Sequence, residues 1–150
     1  MLYSLKNLSH RRGVYNLNMA KHNELGVTGE NVAAKFLERK GYRIIDRNYR
    51  KKWGEIDIVA EKKGKIYFVE VKSVSRKSYG GKLEQGSTDF YRPEDNMHPW
   101  KLKRLGRAIQ TYLLGKFPKF DPDWQLDLAC VFLDTENRVG KVRYLENIII

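Results

Sequence analysis

Four side chains in this sequence are of the kinds that hydrolysis at a phosphate needs: Glu30, Asp57, Glu70 and Lys72. Glu70 and Lys72 lie two apart in Ile66-Tyr-Phe-Val-Glu-Val-Lys72, so on an extended chain both project from one face. Asp57 lies likewise inside Gly54-Glu-Ile-Asp-Ile-Val-Ala60. If these stretches pair as a hairpin across Lys62-Lys63-Gly64, Asp57 and Glu70 meet at its open end. Two carboxylates brought together repel unless they share a proton or a cation, so a hard divalent ion is expected between them, Mg²⁺ or Mn²⁺. A lysine beside that ion would orient the attacking water and offset charge developing on the phosphate. Glu30, expected to open the first helix, would add a carboxylate, and Glu55 shares a face with Asp57 as a weaker candidate. Taken singly, each residue has an ordinary alternative: Glu70 and Lys72 as an exposed ion pair, Asp57 as a polar hairpin end, Glu30 as an acid at a helix N-terminus. Their combination favours the chemical role.

The surroundings are strongly basic. Among 150 residues, 29 Lys and Arg against 18 Asp and Glu give a net charge of +11, which attracts polyanions such as nucleic acid. Arg39, Lys40, Arg43, Arg47, Arg50, Lys51 and Lys52 are opposed within their stretch by Asp46 alone, and Lys101, Lys103, Arg104 and Arg107 form an acid-free second group. By charge alone, phosphate contact and a solvated surface are equally good readings. The longest apolar run is residues 128–133, too short to span a membrane, and residues 1–9 lack a signal peptide's apolar centre, so a cytoplasmic location is expected. Cys130 within that run reads as a core thiol, and His10, His22 and His98 lack ligand spacing. No phosphate loop of the G-x-x-x-x-G-K type occurs.

The elements that must position these residues follow from periodicity. Residues 1–23 hold no acid and little apolar periodicity, and read as a flexible leader before a single α/β domain over 24–150. Thr28 can cap a helix whose apolar side is Val32, Ala33, Phe36 and Leu37 and which Gly41 ends. Strands are predicted over 42–48, 55–60 and 66–72, and their short turns imply an antiparallel meander. A polar, Gly-rich stretch over 73–97 leaves directly from Lys72 and is expected to order on substrate or at a homodimer interface. A second helix over 99–114 and strands over 125–133 and 141–145 complete the order α-β-β-β-α-β-β, an α/β fold with a central mixed sheet flanked by helices.

These residues resemble a known group. Gly26-Val-Thr-Gly-Glu30, Gly41-Tyr42, Arg47-Asn48, Gly54-Glu-Ile-Asp-Ile-Val-Ala60 and Phe68-Val-Glu-Val-Lys72, continuing through Lys101, Arg104-Leu105, Ala108 and Tyr112-Leu113 to Asp127, are similar to the bacterial YraN family, also called UPF0102. The resemblance implies the restriction-endonuclease-like fold, with its PD-(D/E)xK chemistry, shared with Holliday-junction resolvases. It implies Asp57, Glu70 and the main-chain carbonyl of Val71 as metal ligands, Lys72 as water-positioning base or charge stabiliser, and Glu30 as accessory carboxylate. The chain departs from the family pattern at Ser73-Val74-Ser75, where relatives tend to carry an Arg, in a longer segment between Lys72 and Lys101, and at Gln125, where Arg is common.

The expected function is a Mg²⁺-dependent nuclease acting on phosphodiester bonds of DNA, at branched, repair or recombination intermediates. Arg47, Arg50, Lys51, Lys52, Lys101, Lys103, Arg104 and Arg107 are its expected nucleic-acid contacts. The rivals are a nucleic-acid-binding module on the same fold without turnover and, least favoured by the charge, a scaffold protein.

Overall fold

The apolar spacing of residues 32–37 forms a helix in the computed structural model, which describes residues 12–16, 25–75, 97–134 and 138–150. The element order is β1 (Arg12–Asn16), α1 (Leu25–Arg39), β2 (Arg43–Lys51), β3 (Gly54–Lys62), β4 (Lys65–Ser75), α2 (Pro99–Lys116), β5 (Trp124–Asp134) and β6 (Val139–Leu145). The strands make one six-stranded mixed sheet in the order β1-β6-β5-β4-β3-β2. The expected meander is present: β2, β3 and β4 pair antiparallel, whereas β4 and β5 pair parallel because α2 carries the chain back across the sheet.

Three details differ from the sequence reading. Within the stretch read as a leader, Arg12–Asn16 is an edge strand, antiparallel to β6. Its five residues are too few for apolar alternation to stand out in a basic, polar stretch, and edge pairing needs backbone groups alone. Helix α1 begins at Leu25 rather than Thr28, which places Glu30 in its second turn instead of at its opening. Strand β4 continues to Ser75, and of the polar stretch that follows, residues 76–96 lie outside the described residues together with any ordering role.

Each helix covers one face of the sheet. Val32, Ala33, Phe36 and Leu37 of α1 pack with Ile58, Ala60, Val69, Ala129 and Val131, while Leu105, Ala108, Ile109, Tyr112 and Leu113 of α2 pack with Val59, Phe68, Leu126, Leu128 and Cys130. Strand β5 is therefore apolar from Leu128 to Leu133, where both of its faces are covered, and Cys130 is a free core thiol. Helix α1 stops at a Schellman turn: Tyr42 and Gly41 donate their N–H groups to the carbonyls of Leu37 and Glu38, with Gly41 at φ 89°. Asp46, the acid interrupting the first basic run, accepts a hydrogen bond from Tyr112 and lies 3.6 Å from Lys116 Nζ, tying the far end of α2 to β2. Among the described residues, no helix is long and apolar enough to cross a membrane.

Two glycines set how closely the helices approach the strands that bear the candidate residues. A Cβ on Gly29 of α1 would fall 1.7 Å from Ser73 Oγ of β4, and one on Gly54 of β3 would fall 2.6 Å from the Arg104 carbonyl oxygen of α2. Backbone cannot yield as a flexible side chain can, so Gly54→Ala must push α2 away from the sheet. Urea unfolding is expected to lose about 2–3 kcal/mol for Gly54→Ala, against about 1 kcal/mol for Gly64→Ala, whose site at φ 79° has open space.

Candidate active site at the strand fork

Strands β3 and β4 are paired from Lys62 opposite Lys65 up to Ile58 opposite Val69, and there the ladder ends. Beyond it β3 continues beside β2 as far as Gly54, and β4 continues beside β5 as far as Ser75. The next position on each strand is Asp57 and Glu70. In place of a main-chain partner, the Val71 N–H donates to Asp57 Oδ2 at 2.8 Å, so the carboxylate itself closes the fork. The side chains of Asp57 and Glu70 are within hydrogen-bonding reach of each other.

Electrostatics follow from this crowding. Burial, then the neighbouring Glu70 charge and more weakly that of Glu30, push the Asp57 carboxyl up to about 7, against the Val71 N–H, which favours the anion. Glu70, buried, is paired with Lys101 of α2, whose Nζ lies 3.0 Å from its Oε1. Lys72 is half-buried; burial and then the adjacent Lys101 lower its pKa. Burial also acts to lower that of Lys101, but the neighbouring amine of Lys72 and the charge of Glu70 outweigh it and raise it. Of the two lysines, Lys101 thus keeps its proton and Lys72 yields its own more readily.

The structure brings Glu30, Asp57, Glu70 and Lys72 into one neighbourhood. Glu30 reaches it from α1, and Arg47 lies 3.7 Å from Glu30 while donating to Asn31 Oδ1 at 2.8 Å, so Arg47 holds that acid rather than facing outward alone. Glu55 is exposed and lies 3.7 Å from Arg50. Val71, expected through its carbonyl, contributes its N–H to Asp57. Among the described residues no group of three or more His, Cys, Asp and Glu is placed to hold a metal. Two adjoining carboxylates, one of them short of its charge at neutral pH, nonetheless suit a cation that keeps most of its water, as Mg²⁺ does.

The basic residues divide. Lys51, Lys101 and Arg104 line a cleft of about 310 Å³ with Gly54, Glu55, Glu70, Trp100 and Leu105. Lys103 and Arg107 instead line a separate groove with Trp53, Trp124 and the C-terminal Ile149 and Ile150. The acid-free group read as one contact surface is split because positions 101 and 104 of the helix turn toward β3 and β4 while 103 and 107 turn away. Lys52 is exposed in the turn between β2 and β3. The sequence reading placed Lys101 only among phosphate contacts; it is the third residue of α2, in the turn opened by Pro99, and spacing along the chain carries no signal that this turn faces the strand ends.

Residues 29–131 match the uncharacterised protein family UPF0102, a span that includes Glu30, Asp57, Glu70, Lys72 and Lys101. A UPF0102 protein of Syntrophomonas wolfei is 36% identical over 83% of this chain and 96% of its own length. One from Bacteroides fragilis is 40% identical over 79% of this chain and 88% of its own. Another, from Flavobacterium psychrophilum, is 33% identical over 86% and 96%.

Because the folded protein holds the Asp57 proton more tightly than the unfolded chain does, stability from this group is full below the ordinary value near 3.8 and is lost as pH rises through about 7. In metal-free buffer, Asp57→Asn keeps an acceptor for Val71 and removes the charge. Chemical denaturation is expected to find it about 2 kcal/mol more stable than wild type at pH 8, with the gap closing as pH falls toward 4.

Proposed function

The chain belongs to the UPF0102 family, and we propose that it is a Mg²⁺-dependent nuclease hydrolysing phosphodiester bonds in DNA. The observation that carries this reading is the meeting of Asp57 and Glu70 at the fork of β3 and β4, with half-buried Lys72 beside them and a basic cleft in front. Asp57 and Glu70 would hold the ion, which when bound supplies Lewis acidity toward the phosphoryl oxygens. Lys72, whose ammonium is disfavoured by burial and by Lys101, is suited to accept a proton from the attacking water and to orient it. Lys101, kept protonated, opposes negative charge as it develops on the phosphate. Glu30 acts through its charge on Asp57 and is steadied by Arg47. Lys51 and Arg104 would hold the strand along the cleft.

The restriction-endonuclease-like fold belongs to the same proposal. It is supported by the order of α1, the three-strand meander, α2 and a parallel β5, and by the acids lying where the meander opens. Branched repair or recombination intermediates are the substrates that a likeness to junction resolvases suggests. One observation favours the rival, a binding module without turnover: Lys101 Nζ lies 3.0 Å from Glu70 Oε1 and would compete with a cation for that carboxylate.

Branched, single-stranded and duplex DNA incubated with the protein and Mg²⁺ or Mn²⁺ is expected to be cut, with Asp57→Ala and Glu70→Ala each slowing cleavage by roughly 100-fold or more. Cleavage indifferent to both changes would sink the assignment, and salt-sensitive binding without cleavage would move it to the rival. In the same titrations, Lys51→Glu with Arg104→Glu should flatten the salt dependence of binding by a slope of about 2. Lys103→Glu with Arg107→Glu, on the other groove, should change it by less than half as much.

A further inference from the structure

Trp100 is 59% exposed at the start of α2, next in sequence to the lysine that pairs with Glu70. Its indole is not part of the core, which this helix joins through Leu102, Leu105, Ala108, Ile109, Tyr112 and Leu113. It lines the cleft that holds Glu70, Lys51, Lys101 and Arg104. Two of these cations are themselves fixed. Arg104 Nε donates to the Trp53 carbonyl at 3.1 Å, and Lys51 Nζ lies 5.3 Å from the centroid of the Tyr49 ring. At about 310 Å³ the cleft is at the lower end of small-ligand sites, with room for a nucleotide-sized group and not for a base-paired helix.

An aromatic face beside a row of fixed cations is the arrangement by which proteins hold unpaired nucleotides: the cations take the phosphates, and any base can stack on the ring. A base still paired inside a duplex cannot offer its face to an indole unless it is first unstacked. We propose that Trp100 is a stacking platform for an unpaired base adjoining the phosphate at Glu70, so that the substrate class is DNA with unpaired nucleotides at the site: single strands, flaps or gaps. This deepens the nuclease reading and rests on its nucleic-acid part. The cleft selects by whether a base is free and leaves sequence unread, because stacking needs only a π-face and the cations meet backbone.

The test is fluorescence anisotropy in EDTA with the full chain and three DNAs of one sequence: a single strand, a blunt duplex and a gapped duplex. Trp100→Ala is expected to weaken binding about 5- to 50-fold for the single strand and the gapped duplex and by less than twofold for the blunt duplex, with Trp100→Phe restoring most of the loss. Quenching of tryptophan fluorescence by the single strand should likewise shrink in Trp100→Phe, which retains Trp53 and Trp124. Equal losses on all three DNAs, or none on any while the wild type binds, would overturn the inference and leave the nuclease reading standing. Selective loss on unpaired DNA by a protein that cuts nothing would uphold the platform and overturn the nuclease reading. A wild type that binds no DNA overturns both.

Discussion

The hydrogen bond from the Val71 N–H to the Asp57 carboxylate is the interaction on which the candidate site depends. A sheet normally ends a strand pair by losing main-chain partners to water. Here one strand leaves toward β2 and the other toward β5, and a side chain takes over the last donor. That substitution fixes an acid at the point of divergence and sets Glu70 against it. The rest is consequence: a carboxyl forced toward neutrality, a lysine recruited to its partner, and a second lysine whose pKa is lowered by burial and by that neighbour.

Holding so many charges at one place requires that covering elements come close without filling it. Glycine does this at both sides, Gly29 beneath Ser73 and Gly54 beneath the Arg104 carbonyl. Both helices thereby bring their early turns to the C-terminal end of β4, where α/β sheets commonly bind ligands and where helix ends favour anions. The apolar stripes behind them, packed on opposite faces of β4 and β5, give the rigidity that lets the fork keep its shape with its charges incompletely matched.

A second buried carboxylate illustrates how differently an acid can be used. Asp127 of β5 accepts from the Tyr144 hydroxyl, from Gln125 Nε2 at 2.7 Å and from the Asn147 N–H at 2.9 Å, while burial raises its pKa. Every partner is neutral, and together they pin the chain leaving β6 against the start of β5, where the Ile148 N–H also reaches the Leu126 carbonyl at 2.7 Å. Gln125 is thus a working donor to the acid beside it. Asp127 is structural because its hydrogen-bond donors satisfy it, whereas Asp57 accepts from the Val71 N–H and is pressed by the charges of Glu70 and Glu30.

Much of this was legible in the chain. The apolar spacing of α1 and α2, the close succession of β2, β3 and β4, and the unbroken apolar run of β5 follow from local periodicity, which side-chain burial enforces residue by residue. So does the candidacy of Asp57, Glu70 and Lys72, since charged residues inside apolar strands need a reason. The strand at Arg12–Asn16 was not legible, because an edge strand is held by main-chain bonds that leave little trace in side-chain pattern. Nor could spacing along the chain separate Lys101 and Arg104 from Lys103 and Arg107, or turn Arg47 back onto Glu30. The sequence by itself determined which residues could carry chemistry and the elements that bear them. Which charges meet was decided only by the tertiary structure, because electrostatic coupling falls with distance through space, and distance through space is set by how the two helices dock on the fork.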